Sequence, residues 1–96
     1  MAAISVLAIE QGWEGDRKRH LVAALVANNS TATPAQFGLK KVEAIIPSAI
    51  IAGDVSVNGV AVTLTNHGTH VITWASATIT FAVQTTANSL WYVYGW

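Results

Sequence analysis

The eleven residues Asp54-Val-Ser-Val-Asn58-Gly59-Val-Ala-Val-Thr-Leu64 leave the chain little choice of local structure. Side chains alternate in character on both sides of Asn58-Gly59. Asn-Gly is the preferred pair for a two-residue type I′ turn, whose central residues both need positive φ. This stretch is therefore predicted to be a β-hairpin. The rest of the chain follows the same habit, because Val, Ile and Thr supply 29 of its 96 residues. Those side chains suit pleated, half-buried surfaces.

Further strands are predicted at Ala3–Ile9, Arg19–Ala27, Lys41–Ile46, Val71–Ala75, Thr78–Val83 and Leu90–Tyr94. The alanines of Arg19–Ala27 also fit a helix, the lesser alternative there. Gln11–Asp16 and Asn28–Thr33 read as connections. Thr33-Pro34-Ala35-Gln36 carries an N-cap residue, a proline at the first helical position and a capping-box glutamine, with Gly38 available as a left-handed stop. The expected fold is all-β: a small single-domain antiparallel β-sandwich or barrel of seven to eight short strands with one short helical turn, residues 1–96 forming one domain. Strands recurring at roughly ten-residue spacing set that expectation. Trp74, Phe81 and Trp91 are expected to fill its core.

Charge is scarce. Asp, Glu, Lys and Arg make 10% of the chain against an apolar 52%, and Val55–Trp96 contains none of the four. Ordinary domains carry about 25%. A small domain leaves roughly a third of its surface outside the fold, so this one is expected to cover part of its outside with other protein subunits. The net charge is zero, which offers no electrostatic footprint for nucleic acid. Cysteine is absent, so disulfides and thiolate metal sites are excluded. No apolar run approaches the roughly 18 residues of a membrane helix, and Met1–Ile9 lacks the basic start of a signal peptide. The expectation is a chain made in the cytoplasm, with no membrane partner.

Catalytic chemistry finds no foothold. No serine sits in a Gly-x-Ser-x-Gly elbow, and three of the five carboxylates crowd into one connection beside Arg17, Lys18 and Arg19. His67 and His70 are too few for a zinc site and fall on opposite strand faces unless a turn intervenes. No enzyme activity, cofactor or metal is expected.

Two clusters stand out as contact candidates. Six of the ten charges lie between Glu10 and Arg19, and this cluster reads either as a solvated loop or as an intersubunit patch that fixes register. Leu90-Trp-Tyr-Val-Tyr-Gly-Trp96 holds four of the eight aromatics. As a strand it puts Leu90, Tyr92, Tyr94 and Trp96 on one face, Trp91 and Val93 on the other. A central strand accounts for Trp91 and Val93, while an aromatic chain end is expected to lie against a partner, where Trp and Tyr are frequent anchors. The candidate subunit or capsid interface is thus Trp13, Arg17, Lys18, Arg19, Tyr92, Tyr94 and Trp96.

Gly15-Asp-Arg-Lys-Arg19 opening an apolar strand, then Thr33-Pro-Ala-Gln-Phe-Gly-Leu39, then Val42-Glu-Ala-Ile-Ile-Pro47, is an order of elements that resembles small virion proteins of tailed bacteriophages. The resemblance spans Gly15–Pro47, about a third of the chain. It implies a head cement (decoration) protein, typically a homotrimer, on the outside of the virion capsid, where it binds the major capsid protein and clamps neighbouring capsomers. The alanine-rich Leu21–Ala27 and the aromatic tail depart from that pattern. The alternative function is a receptor- or glycan-binding β-sandwich of a tail or fibre, which requires an exposed pocket around Trp13 or Trp74.

Overall fold

Alternation becomes strand wherever the sequence shows it. In the computed structural model, which describes residues 3–47, 52–66, 68–75 and 77–96, the strands are β1 (Ser5–Glu10), β2 (Trp13–Glu14), β3 (Arg17–Val26), β4 (Ser30–Ala32), β5 (Val42–Pro47), β6 (Gly53–Val57), β7 (Val60–Leu64), β8 (His70–Ala75), β9 (Thr78–Val83) and β10 (Ala87–Gly95). All eight expected runs are present. Two short strands, β2 and β4, are added inside the segments read as connections, and both are held by pairing rather than by composition. Trp13 and Glu14 fold back onto Lys18 and Arg17. Ser30–Ala32 lies against Ile79–Phe81 of β9 after a turn in which Ser30 Oγ accepts the Ala27 N–H at 2.9 Å.

The strands form three antiparallel groups. β1-β3-β10-β5 is the large sheet, with β2 on the end of β3; β4-β9-β8 is a smaller sheet; β6-β7 is a separate two-stranded hairpin. Nine residues of β10 pair with β3, from Ala87↔Val26 to Gly95↔Lys18. A parallel bridge between Ala3 and Thr31 joins the two larger sheets along one side.

Neighbouring residues of the large sheet enter different cores. Val22, Ala24, Val26, Trp91 and Val93 face Phe37, Ile79, Phe81 and Val83 on the side of the small sheet. Ala23 and Leu90, one position away, pack with Ala8 under Val57, Val62 and Leu64 of the hairpin. The result is three layers, with the large sheet in the middle. A sheet buried on both faces reads as a continuous apolar run, and this resolves the ambiguity of Leu21–Ala27. Its alanines are small because a layer presses on each side: Ala23 and Ala24 are 0% and 1% exposed.

The helical turn forms as 3-10 helix at Pro34–Phe37, with Gly38 left-handed at φ 74°. Gln36 Oε1 accepts the Thr33 N–H at 3.0 Å. Phe37 drops into the core, and its carbonyl accepts a 2.8 Å hydrogen bond from Nδ1–H of buried His20. That bond ties the turn to β3.

Trp74 corrects an expectation. It is 45% exposed on β8, while Phe81 and Trp91 are 1% exposed and meet edge to face at 5.2 Å. β8 is the outer strand of the small sheet, so Trp74 lies at its rim and not between the layers.

Asn58 and Gly59 have φ of 49° and 80°, the double positive φ of a type I′ turn, between the paired Val57 and Val60. Around Gly59 there is open space, so the strain of a substitution there is purely conformational. Gly59→Val should cost ~1–2 kcal/mol, about 4–16 °C in Tm for a domain of this size. A thermal melt by circular dichroism measures it, and an unchanged Tm would contradict the turn.

Candidate interaction surfaces

The turn between β2 and β3 sorts the charged cluster by period two. Trp13 stands opposite Lys18, and Glu14 opposite Arg17. Because successive side chains point to opposite faces, Glu14, Arg17 and Arg19 go one way, Trp13 and Lys18 the other. The seven residues singled out in the sequence therefore form two surfaces rather than one.

The first surface joins arginines to tyrosines. Arg17 Cζ lies 5.0 Å from the Tyr94 ring centroid and Arg19 Cζ 5.6 Å from that of Tyr92. The guanidiniums are held from the side: Arg17 Nη1 donates to Glu43 Oε1 at 2.8 Å, while Arg17 Nη2 and Arg19 Nη1 stand 3.4 and 3.7 Å from the Glu14 carboxylate. The Glu43 hydrogen bond, and after it Glu14, raises the Arg17 pKa further above its ordinary value. All four side chains are between 35% and 47% exposed. Ion pairs this wet add little to stability; their effect is geometric, keeping the guanidinium planes over the rings. Tyr92 pairs with Ile46 of β5, itself 48% exposed, so the patch continues across three strands beyond the ground covered by the hairpin. What such a surface can do is bind protein: flat, rigid rings with fixed donors between them.

The second surface is an open cleft of about 460 Å³ lined by Trp13, Asp16, Lys18, Gly38, Lys40 and Trp96. Lys18 Nζ is 5.8 Å from the Trp13 ring and Lys41 Nζ 5.7 Å from the Trp96 ring. Beside it, sharing Lys40, lies a second cleft of about 390 Å³ reaching Lys41, Trp74 and Ile79.

Trp96 is a correction to the expected shared face with Tyr92 and Tyr94. The β10–β5 pairing shifts register between Tyr94 and Gly95, and β10 ends at Gly95. Past the shift Trp96 joins the lysine cleft. Its backbone is bound within the domain: the Trp96 N–H donates to the Lys41 carbonyl at 3.0 Å, and the Trp96 carbonyl accepts the N–H groups of Lys40 and Lys41. The aromatic tail is thus a central strand that keeps Tyr92 and Tyr94 half-exposed and ends on the more open Trp96, 45% exposed.

Glu43, Lys40 and Lys41 were not singled out in the sequence, and Glu14 and Asp16 entered only as members of the Glu10–Arg19 charge cluster. Glu14 was recoverable from its place opposite Arg17 across a two-residue turn. Glu43 was not, because it reaches Arg17 only through the order β3-β10-β5. His70 packs edge to face on Trp91 at 5.3 Å, and His67 lies outside the described residues. Among the described residues no three His, Cys, Asp or Glu side chains converge as a metal site would require. Comparison of the chain with protein-family models, curated proteins and solved structures returned no match.

Proposed function

We propose that this chain is a structural virion protein, a cement (decoration) subunit that acts as a homotrimer on the capsid exterior and binds the major capsid protein through the Arg17–Arg19–Tyr92–Tyr94 face. The observation that carries the reading is that face itself: two tyrosines kept half-exposed in the central strand of a sheet, each beneath an arginine. Arg and Tyr dominate the few residues that supply most binding energy at protein interfaces. The low charge of the chain supports association as a way of life, and the order of elements over Gly15–Pro47 points to the capsid. On a lattice each copy meets several neighbours, so modest single contacts sum to firm attachment.

The test is to add protein to capsid shells lacking it, sediment the shells and measure occupancy. The double variant Arg19→Glu/Tyr94→Ala should bind at least tenfold less, with an unchanged circular dichroism spectrum. Full occupancy by that variant, or no binding by the parent, would overturn the proposal.

A further inference from the structure

The lysine cleft takes its Lys18 from the side of β3 opposite to Arg17 and Arg19. Its composition is peculiar for this chain. The two clefts together gather all three lysines and three of the four tryptophans of the protein. Trp13 is 65% exposed, the most open of the large apolar side chains among the described residues. The arginines are paired with Glu14 and Glu43, and among the described residues every ion pair runs through Arg17 or Arg19. Lys18, Lys40 and Lys41 therefore put three positive side chains around the cleft against one acidic side chain in its lining, Asp16.

We propose that the cleft between Trp13 and Trp96 binds an acidic saccharide, a sugar ring carrying a negatively charged group. Each part of the lining matches one part of such a ligand. The exposed indole faces offer flat apolar surface to the C–H face of a pyranose ring, where water is displaced at little cost. Lys18, held beside the Trp13 ring, and Lys40 in the cleft lining meet the anionic substituent. Asp16 accepts hydrogen bonds and cannot donate when ionised; sugar hydroxyls supply donors, whereas the carboxylates of an acidic peptide would only repel it. The size of the cleft, about 460 Å³, falls within the roughly 300–1,000 Å³ of small-ligand sites. The cleft shares no lining residue with the Arg17–Arg19–Tyr92–Tyr94 face, so saccharide binding there goes beyond the proposed capsid attachment and does not depend on it.

An array of oligosaccharides containing uronic acids or sulfated sugars, each beside its neutral counterpart, tests the proposal with full-length protein. Poly-glutamate is the control for charge alone, and tryptophan fluorescence titration follows any hit in solution. Expected are capture of at least one acidic saccharide, at least tenfold weaker binding of its neutral counterpart, and weakening by added salt. Trp13→Ala and Lys40→Gln, both at exposed positions, should each lower the affinity tenfold or more with an unchanged melting curve. Capture of no acidic saccharide, equal binding of poly-glutamate, or undiminished binding by both variants would overturn it. The Arg19→Glu/Tyr94→Ala variant should bind the saccharide like the parent, which separates this site from the capsid-binding face.

Discussion

Trp91→Ala should remove ~3–5 kcal/mol of folding stability, the usual cost of emptying a buried aromatic site. Trp91 is 1% exposed at the centre of β10, pairs with Val22 and Pro47 on either side, and meets both Phe81 and His70 edge to face. Its neighbours belong to strands pinned by hydrogen-bonded pairing, so they cannot close over the space. A domain of this length has about 5–14 kcal/mol to lose, and the expected drop in Tm is tens of degrees. Urea unfolding followed by circular dichroism reads the change. A loss below 1 kcal/mol would mean that the indole does not fill the space between the two sheets. Trp74→Ala, at the rim, should cost far less, and the contrast between the two tests the layer assignment directly.

Gly95→Val ranks second. Gly95 pairs with Lys18 on one side and Val42 on the other. A Cβ at this position would collide with the Lys41 carbonyl oxygen and come within 3.0 Å of the Lys41 carbonyl carbon and 3.1 Å of Val42 Cα. These are backbone atoms, so no side chain can swing aside; β5 itself must part from the end of β10. Overpacking of this kind costs ~1–3 kcal/mol, and the hydrogen bonds linking Trp96 to Lys40 and Lys41 would loosen with it. The expected result is a lower urea midpoint together with faster hydrogen exchange at the Lys40 and Lys41 amides. Parent-like stability and exchange would refute the close approach. Because Trp96 and Lys40 line the cleft proposed to bind a saccharide, the variant should also lose any binding there.

Local pattern and tertiary structure divide this protein between them in a physically definite way. The hairpin at Asn58-Gly59, the capped turn at Pro34–Phe37 and the eight main strands were legible because each depends on neighbours in sequence: φ preferences, capping groups and period-two alternation. Even the sorting of Arg17 and Arg19 away from Lys18 follows from alternation. Two short strands were hidden, since two or three residues carry no periodic signal and are held by partners distant along the chain.

Layer order was beyond local reading. Alternation says that Trp91 and Leu90 face opposite ways, but not that a second sheet covers one and the hairpin the other. Nor does it say that β8 ends up outermost, leaving Trp74 at the rim. The register shift opposite Gly95 takes up an extra residue, Glu43, in β5, where the Lys41 backbone approaches Gly95 too closely for any Cβ, and backbone hydrogen bonds to Lys40 and Lys41 hold Trp96 beside the lysines. Composition and alternation determined that this chain would be an antiparallel β domain sparing with charge. Only packing decided that its aromatic and basic residues would divide into two surfaces, because sheet order and register are set by contacts between segments far apart in the chain.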